Sequence, residues 1–135
     1  MEELTHRLIE FYERLSSWEH AVVRGKGLTL PQMHTIEILG VHQGLRMKEL
    51  AQKMGVTTGT LTVLVDRLVD KGLVARTPHE TDRRSYVVAL TPKGAARFAE
   101  HHTLHLALTA ELAAALGPDD AQGFSEMLRK VLERF

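Results

Sequence analysis

Cysteine is absent from the 135-residue chain. That excludes disulfides, thiolate chemistry and cysteine-ligated zinc or iron–sulfur clusters. No apolar run reaches the ~18 residues that a membrane-spanning helix needs. The N-terminus also lacks the charged-then-apolar pattern of a secretion signal. A cytoplasmic protein is therefore expected. Internal repeats and low-complexity linkers are missing as well, and the length favours one domain over residues 1–135. Composition is that of a globular chain, with 44% hydrophobic and 25% charged residues.

Net charge is the other thing missing, with 17 Lys/Arg against 17 Asp/Glu. Zero charge argues against a nucleic-acid partner until its distribution is considered. Residues 1–45 carry four basic and six acidic side chains, and residues 98–135 three and six. Residues 46–97 carry ten and five. A basic island between acidic flanks points to an anionic partner for the middle segment alone.

Apolar residues Leu4, Leu8, Phe11, Tyr12, Leu15, Trp18 and Val22 recur at steps of three and four, the stripe of one long helix. Gly25 and Gly27 end it. Thr29 is placed to cap a second helix that starts at Leu30-Pro31 and runs to about Gly40. A short third helix is expected over about Lys48–Met54, and a fourth from about Thr58 to Lys71, with Gly72 closing it. The period then changes. Leu73–Thr77 and Ser85–Leu90 read as two strands of a hairpin, joined by the polar loop 78–84. Thr91-Pro92 opens a long helix to about Leu116, and after Gly117-Pro118 a last helix carries Phe124, Leu128, Val131, Leu132 and Phe135 on one side. The apolar stripes of the first and last helices exceed what the remaining elements can cover, which suggests a partner surface. Symmetric self-association is the simplest use of one.

The segment from Leu50 to Leu64 has the requirements of two short helices meeting at a tight turn. Ala51 is small where the axes approach, Gly55 tolerates positive φ, and Leu50, Met54, Val56, Leu61 and Leu64 face inward. This is a helix-turn-helix pattern. Its second helix opens with Thr57, Thr58, Gly59, Thr60, Leu61 and Thr62, short hydroxyl side chains that reach base edges and phosphates beside free backbone N–H groups. The alternative, of equal weight for Thr57 or Thr58, is that one threonine is the helix N-cap and the rest are solvated surface. Val63 is a further candidate for DNA contact on this helix. Arg67, two turns on, lies near the groove rim or pairs with Asp66 or Asp70.

These stretches resemble the MarR family of winged helix-turn-helix regulators over nearly the whole chain. The matching runs are 28–32, Leu50-Ala51, 65–76, Asp82-Arg83-Arg84, and 88–94, of which the Asp-x-Arg wing followed by Leu-Thr-x-x-Gly is the most specific. The resemblance implies a mainly α fold of six helices plus a two-stranded β wing. Residues 28–91 would form the DNA-binding lobe, and residues 1–27 with 92–135 the helical dimerisation region. It implies a homodimer that binds double-stranded DNA at a pseudo-palindromic operator. The helix from Thr58 would lie in the major groove and the wing in the flanking minor groove. By this resemblance Arg84 is the wing arginine, Asp82 orients the tip and Arg83 lies near phosphate. An arginine on a narrow tip suits the negative potential of a minor groove.

The chain carries eight histidines. His101 and His105 lie four apart on one helix, a recurring metal-binding spacing. With His34 and Glu19 they resemble the ligand set of the zinc-uptake repressor branch of the family, with His20 as an alternative to Glu19. Three nitrogens and one oxygen suit tetrahedral Zn²⁺. The expected function is a repressor under control of a small effector. That effector is either Zn²⁺ or an aromatic or lipophilic molecule near Trp18 and Tyr12. A small metal-dependent hydrolase built on the same histidines is the alternative from another class. It lacks a Gly-rich phosphate loop, a nucleophile motif and the glutamate that adjoins a metalloprotease histidine. Neither a catalytic residue nor a cofactor needed for folding is expected.

Overall fold

The computed structural model describes residues 1–134. Phe135, placed by periodicity on the apolar side of the last helix, lies outside them. Two units divide the chain, residues 1–98 and the segment from Ala99 onward.

The first unit begins with α1 (Glu2–Val23). Thr29 then caps α2 (Leu30–Val41) in a reciprocal box. Its hydroxyl accepts the Gln32 N–H at 3.3 Å, and Gln32 Oε1 accepts the Thr29 N–H at 3.0 Å. Leu45–Arg46 forms β1, followed by α3 (Met47–Met54) and α4 (Thr58–Asp70). Gly55 ends α3 at φ 66°, a left-handed value that a side chain would strain. Leu61, Val65 and Leu68 are fully buried at the i, i+4, i+7 spacing of one helical face. They pack with Met33, Ile36 and Leu39 of α2, Leu50 and Ala51 of α3, and Leu73, Val74 and Val88. Met54 and Val56 sit half-buried at the edge of this core.

Strands β2 (Val74–Pro78) and β3 (Tyr86–Leu90) form the antiparallel hairpin, in register Val74↔Leu90 to Pro78↔Tyr86. The sheet has three strands in the order β1-β3-β2, with Leu45 opposite Val88. The two-stranded wing expected from sequence is present as β2 and β3, and β1 adds a third strand that the sequence reading did not resolve. A strand of two residues carries no readable alternation, and only the pairing across to β3 defines β1.

The Leu-Thr-x-x-Gly run acquires a physical meaning at the start of α5 (Pro92–Leu116). Thr91 donates its hydroxyl to Gly72 O at 2.6 Å and accepts the Gly94 N–H at 3.1 Å. Its own N–H reaches Leu73 O at 3.1 Å. A Cβ on Gly94 would stand 2.0 Å from Leu73 O, so only glycine allows the helix to approach this turn so closely.

In the second unit the rest of α5 is followed by α6 (Pro118–Leu132), with Asp119 and Asp120 in its first turn and Arg129 and Lys130 in its last. That placement complements the helix dipole. Among the described residues no helix is long and apolar enough to cross a membrane.

Candidate nucleic-acid interface

Two elements present the candidate DNA-contacting residues, and local chemistry shapes both. Thr57 is the N-cap of α4. Its hydroxyl accepts the Thr60 N–H at 3.2 Å and donates to Thr60 Oγ1 at 3.1 Å. Thr58 is the first helical residue, and Thr62 returns its hydroxyl to Thr58 O at 2.8 Å. Thr57, Thr58, Thr60, Thr62, Val63 and Arg67 are all exposed, while Leu61, Val65 and Leu68 of the same helix are buried. Arg67 had Asp66 as one expected partner. Asp66 is instead held by Arg76 of β2, a contact that ties α4 to the hairpin.

The loop from His79 to Ser85 is closed by its own hydrogen bonds. The His79 N–H donates to Ser85 O at 2.9 Å, and the Ser85 N–H to Asp82 O at 3.1 Å. Asp82 Oδ1 accepts the Arg84 N–H at 3.1 Å, so the carboxylate braces the backbone that carries Arg84. The N–H groups of Thr81 and Asp82 donate to a side chain, His79 Nδ1, at 3.3 and 3.1 Å. From β1 the Arg46 guanidinium lies against the same ring, with Nη2 2.7 Å from Nε2. Asp82, Arg83 and Arg84 are exposed on the outside of this loop. A groove of about 600 Å³ runs between Lys48, Thr58 and the wing residues Asp82, Ser85 and Tyr86. Thr58 and Asp82, named from sequence, thus border one concavity.

His79 and Arg46 were not singled out from sequence. A histidine turning its ring onto amides two and three residues ahead leaves no compositional trace, and Arg46 belongs to the strand that sequence reading did not resolve.

The candidate metal ligands fall into two pairs, one per unit. In the first, Glu19 Oε2 lies 3.4 Å from His34 Nε2. His20 turns away and places Nδ1 2.8 Å from Ser16 O. Glu37, one turn after His34 and absent from the expected set, puts Oε2 at 4.0 Å from the same nitrogen. Its i, i+3 spacing from His34 was the available signal. In the second unit, His101 and His105 place their Nε2 atoms 3.1 Å apart, with ring planes at 73°. Ligands at 2.0–2.1 Å around tetrahedral Zn²⁺ stand roughly 3.3 Å apart. Each pair therefore has close to the separation of one edge of such a shell, and the donor chemistry fits the ion. Tyr12 of the expected aromatic effector region is exposed, and Trp18 is half-buried.

Comparison with known proteins places these features in a lineage. The sequence model of the MarR family matches residues 28–86. The HTH-type transcriptional regulator YfiV of Bacillus subtilis (strain 168) is 36% identical over 104 residues, which cover 75% of this chain and 63% of YfiV. The chain thus spans less than two thirds of that relative. A MarR family transcriptional regulator from Silicibacter pomeroyi superimposes with a TM-score of 0.83 at 30% identity, covering 96% of this chain and 87% of the other. FabT of Streptococcus pneumoniae, in a crystal structure with DNA, gives a TM-score of 0.86 at 23% identity and coverages of 98% and 94%. At that identity the likeness to FabT concerns the fold. Family, exposed helix and braced wing agree, and the hydrolase alternative falls away: the chain belongs to the MarR family, whose members are transcriptional regulators.

Proposed function

We propose that the chain binds double-stranded DNA in a sequence-specific manner as a homodimer and represses transcription. The observation that carries this reading is the groove bordered by Thr58 at the start of α4, by Arg46 and Lys48, and by Asp82, Ser85 and Tyr86 of the wing. A helix N-terminus offers free N–H groups and a positive dipole end to phosphate, while threonines and Arg84 reach the base edges. FabT, which has the same fold, was crystallised with DNA. Exposed Leu4, Leu8 and Phe11 on α1, with Leu128, Val131 and Leu132 on α6, supply the apolar surface for a second copy. Two-fold pairing then calls for an operator of two half-sites about one helical turn apart.

The test is selection of duplexes from a randomised pool, followed by titration of the enriched sequence at several salt concentrations. Enrichment of an inverted repeat, with affinity falling steeply as salt rises, supports the reading. Retention of no duplex even in dilute buffer overturns it.

For the effector, the donor separations at Glu19–His34 and His101–His105 favour Zn²⁺ over an aromatic molecule. Calorimetric titration of the wild type with Zn²⁺ against the His101→Ala, His105→Ala double variant decides this. Stoichiometric binding lost in the variant supports zinc. Equal affinity in both removes it and leaves the aromatic or lipophilic ligand.

A further inference from the structure

Two main-chain donors of the wing loop, the N–H groups of Thr81 and Asp82, take a side-chain acceptor rather than a backbone one. Ser85 O and Asp82 O take the N–H groups of His79 and Ser85, and the Asp82 carboxylate takes that of Arg84. The Thr81 and Asp82 N–H groups converge on His79 Nδ1. Thr81 also brings its hydroxyl to the same nitrogen, at 3.3 Å. Accepting at Nδ1 requires the tautomer with its proton on Nε2, so Arg46 of β1, 33 residues away in sequence, stands beside the half-buried ring as a packing neighbour. One imidazole therefore joins the sheet to the turn that presents Arg84.

We propose that His79 is a positioning residue for DNA recognition. Its ring orders the Thr81–Asp82 turn, Asp82 in turn fixes the Arg84 backbone, and Arg84 thereby enters the groove in a single pose. The inference deepens the DNA-binding reading and rests on it. Nothing in the chain of contacts requires His79 to touch DNA. Its effect should accordingly pass through Arg84 and disappear when that side chain is gone.

Asparagine discriminates between a specific acceptor and mere bulk at this position. Its Oδ1 lies where His Nδ1 does and can accept N–H groups two and three residues ahead, the pattern of an Asx turn. Leucine keeps the bulk and removes the acceptor. The experiment measures the affinity of wild type, His79→Leu, His79→Asn, Arg84→Ala and the His79→Leu, Arg84→Ala double variant. The probe is the duplex that the wild type enriches from a random pool, and thermal unfolding is recorded in parallel. We expect His79→Leu to bind about tenfold more weakly, the scale of one misplaced base contact. His79→Asn should recover most of that loss, and His79→Leu should add less than about twofold in the Arg84→Ala background.

If His79→Leu binds as the wild type does, the inference fails while the DNA-binding reading stands. It also fails if asparagine is as poor as leucine. The same holds if the loss is undiminished without Arg84, because His79 would then act through stability of the fold. A wild type that enriches no duplex overturns the underlying reading and this inference with it.

Discussion

At the level of single residues, the chemistry of the wing and of one helix start sets what the surface can do. Arg84 is exposed, and its main-chain N–H donates to the Asp82 carboxylate. Arg84→Ala should weaken binding to the enriched duplex by about 1–3 kcal/mol, with sequence discrimination reduced at the flanking base pairs. Titrations against cognate and scrambled duplexes check this. Gly94 is a different kind of residue, needed for space rather than chemistry. Gly94→Ala sets a methyl group against a main-chain oxygen that cannot yield, and we expect a loss of ~2 kcal/mol or more in denaturant unfolding. Gly40→Ala meets the Phe98 ring instead, a side chain with some freedom to move, and should cost less.

Among the elements, α4 combines two roles that a single substitution can separate. Thr57 caps the helix through the Thr60 N–H and belongs to the proposed contact surface at once. Thr57→Ala should lower stability by about 1 kcal/mol, whereas Thr57→Asp should preserve the cap but weaken DNA binding by placing a carboxylate against phosphate. Chemical denaturation and anisotropy titration read the two effects independently. In α6, Arg129 donates to Glu126 and holds its carboxyl below the ordinary glutamate value of 4.5, while Glu126 raises the guanidinium. The lowered carboxyl contributes stability above that value, and the contribution is lost as pH falls through the depressed one. Carbon-detected NMR titration should place the Glu126 midpoint under 4.5 and return it there in Arg129→Gln. Both side chains are exposed, so global stability should hardly respond.

For the molecule as a whole, apolar stripes remain open to solvent on α1 and α6, with Leu8 at 60% and Leu132 at 69% exposure. Leu8→Lys combined with Leu132→Lys should leave the fold intact and shift sedimentation toward the single chain. DNA affinity would fall with it, since two linked half-sites bind far more tightly than one. An unchanged sedimentation profile would show that copies do not pair through these stripes.

Most of the element order could be read from periodicity and caps, because α1, α2, α4, α5 and α6 are long enough to repeat a pattern and all but α1 begin beside Thr or Pro. The candidate contact residues were legible for the same reason: hydroxyls at a helix start and arginines in a turn are local features. What lay beyond reach was pairing between distant segments. Leu45–Arg46 becomes a strand only beside β3, and Asp66 takes Arg76 rather than Arg67 once the hairpin folds back on α4. His79 becomes an acceptor for Thr81 and Asp82 only when the loop closes, with Arg46 behind it. Local free energies of capping, turn chemistry and amphipathic spacing are written residue by residue along the chain. Contacts that depend on where two remote backbones meet are decided by packing, and so by the tertiary structure alone.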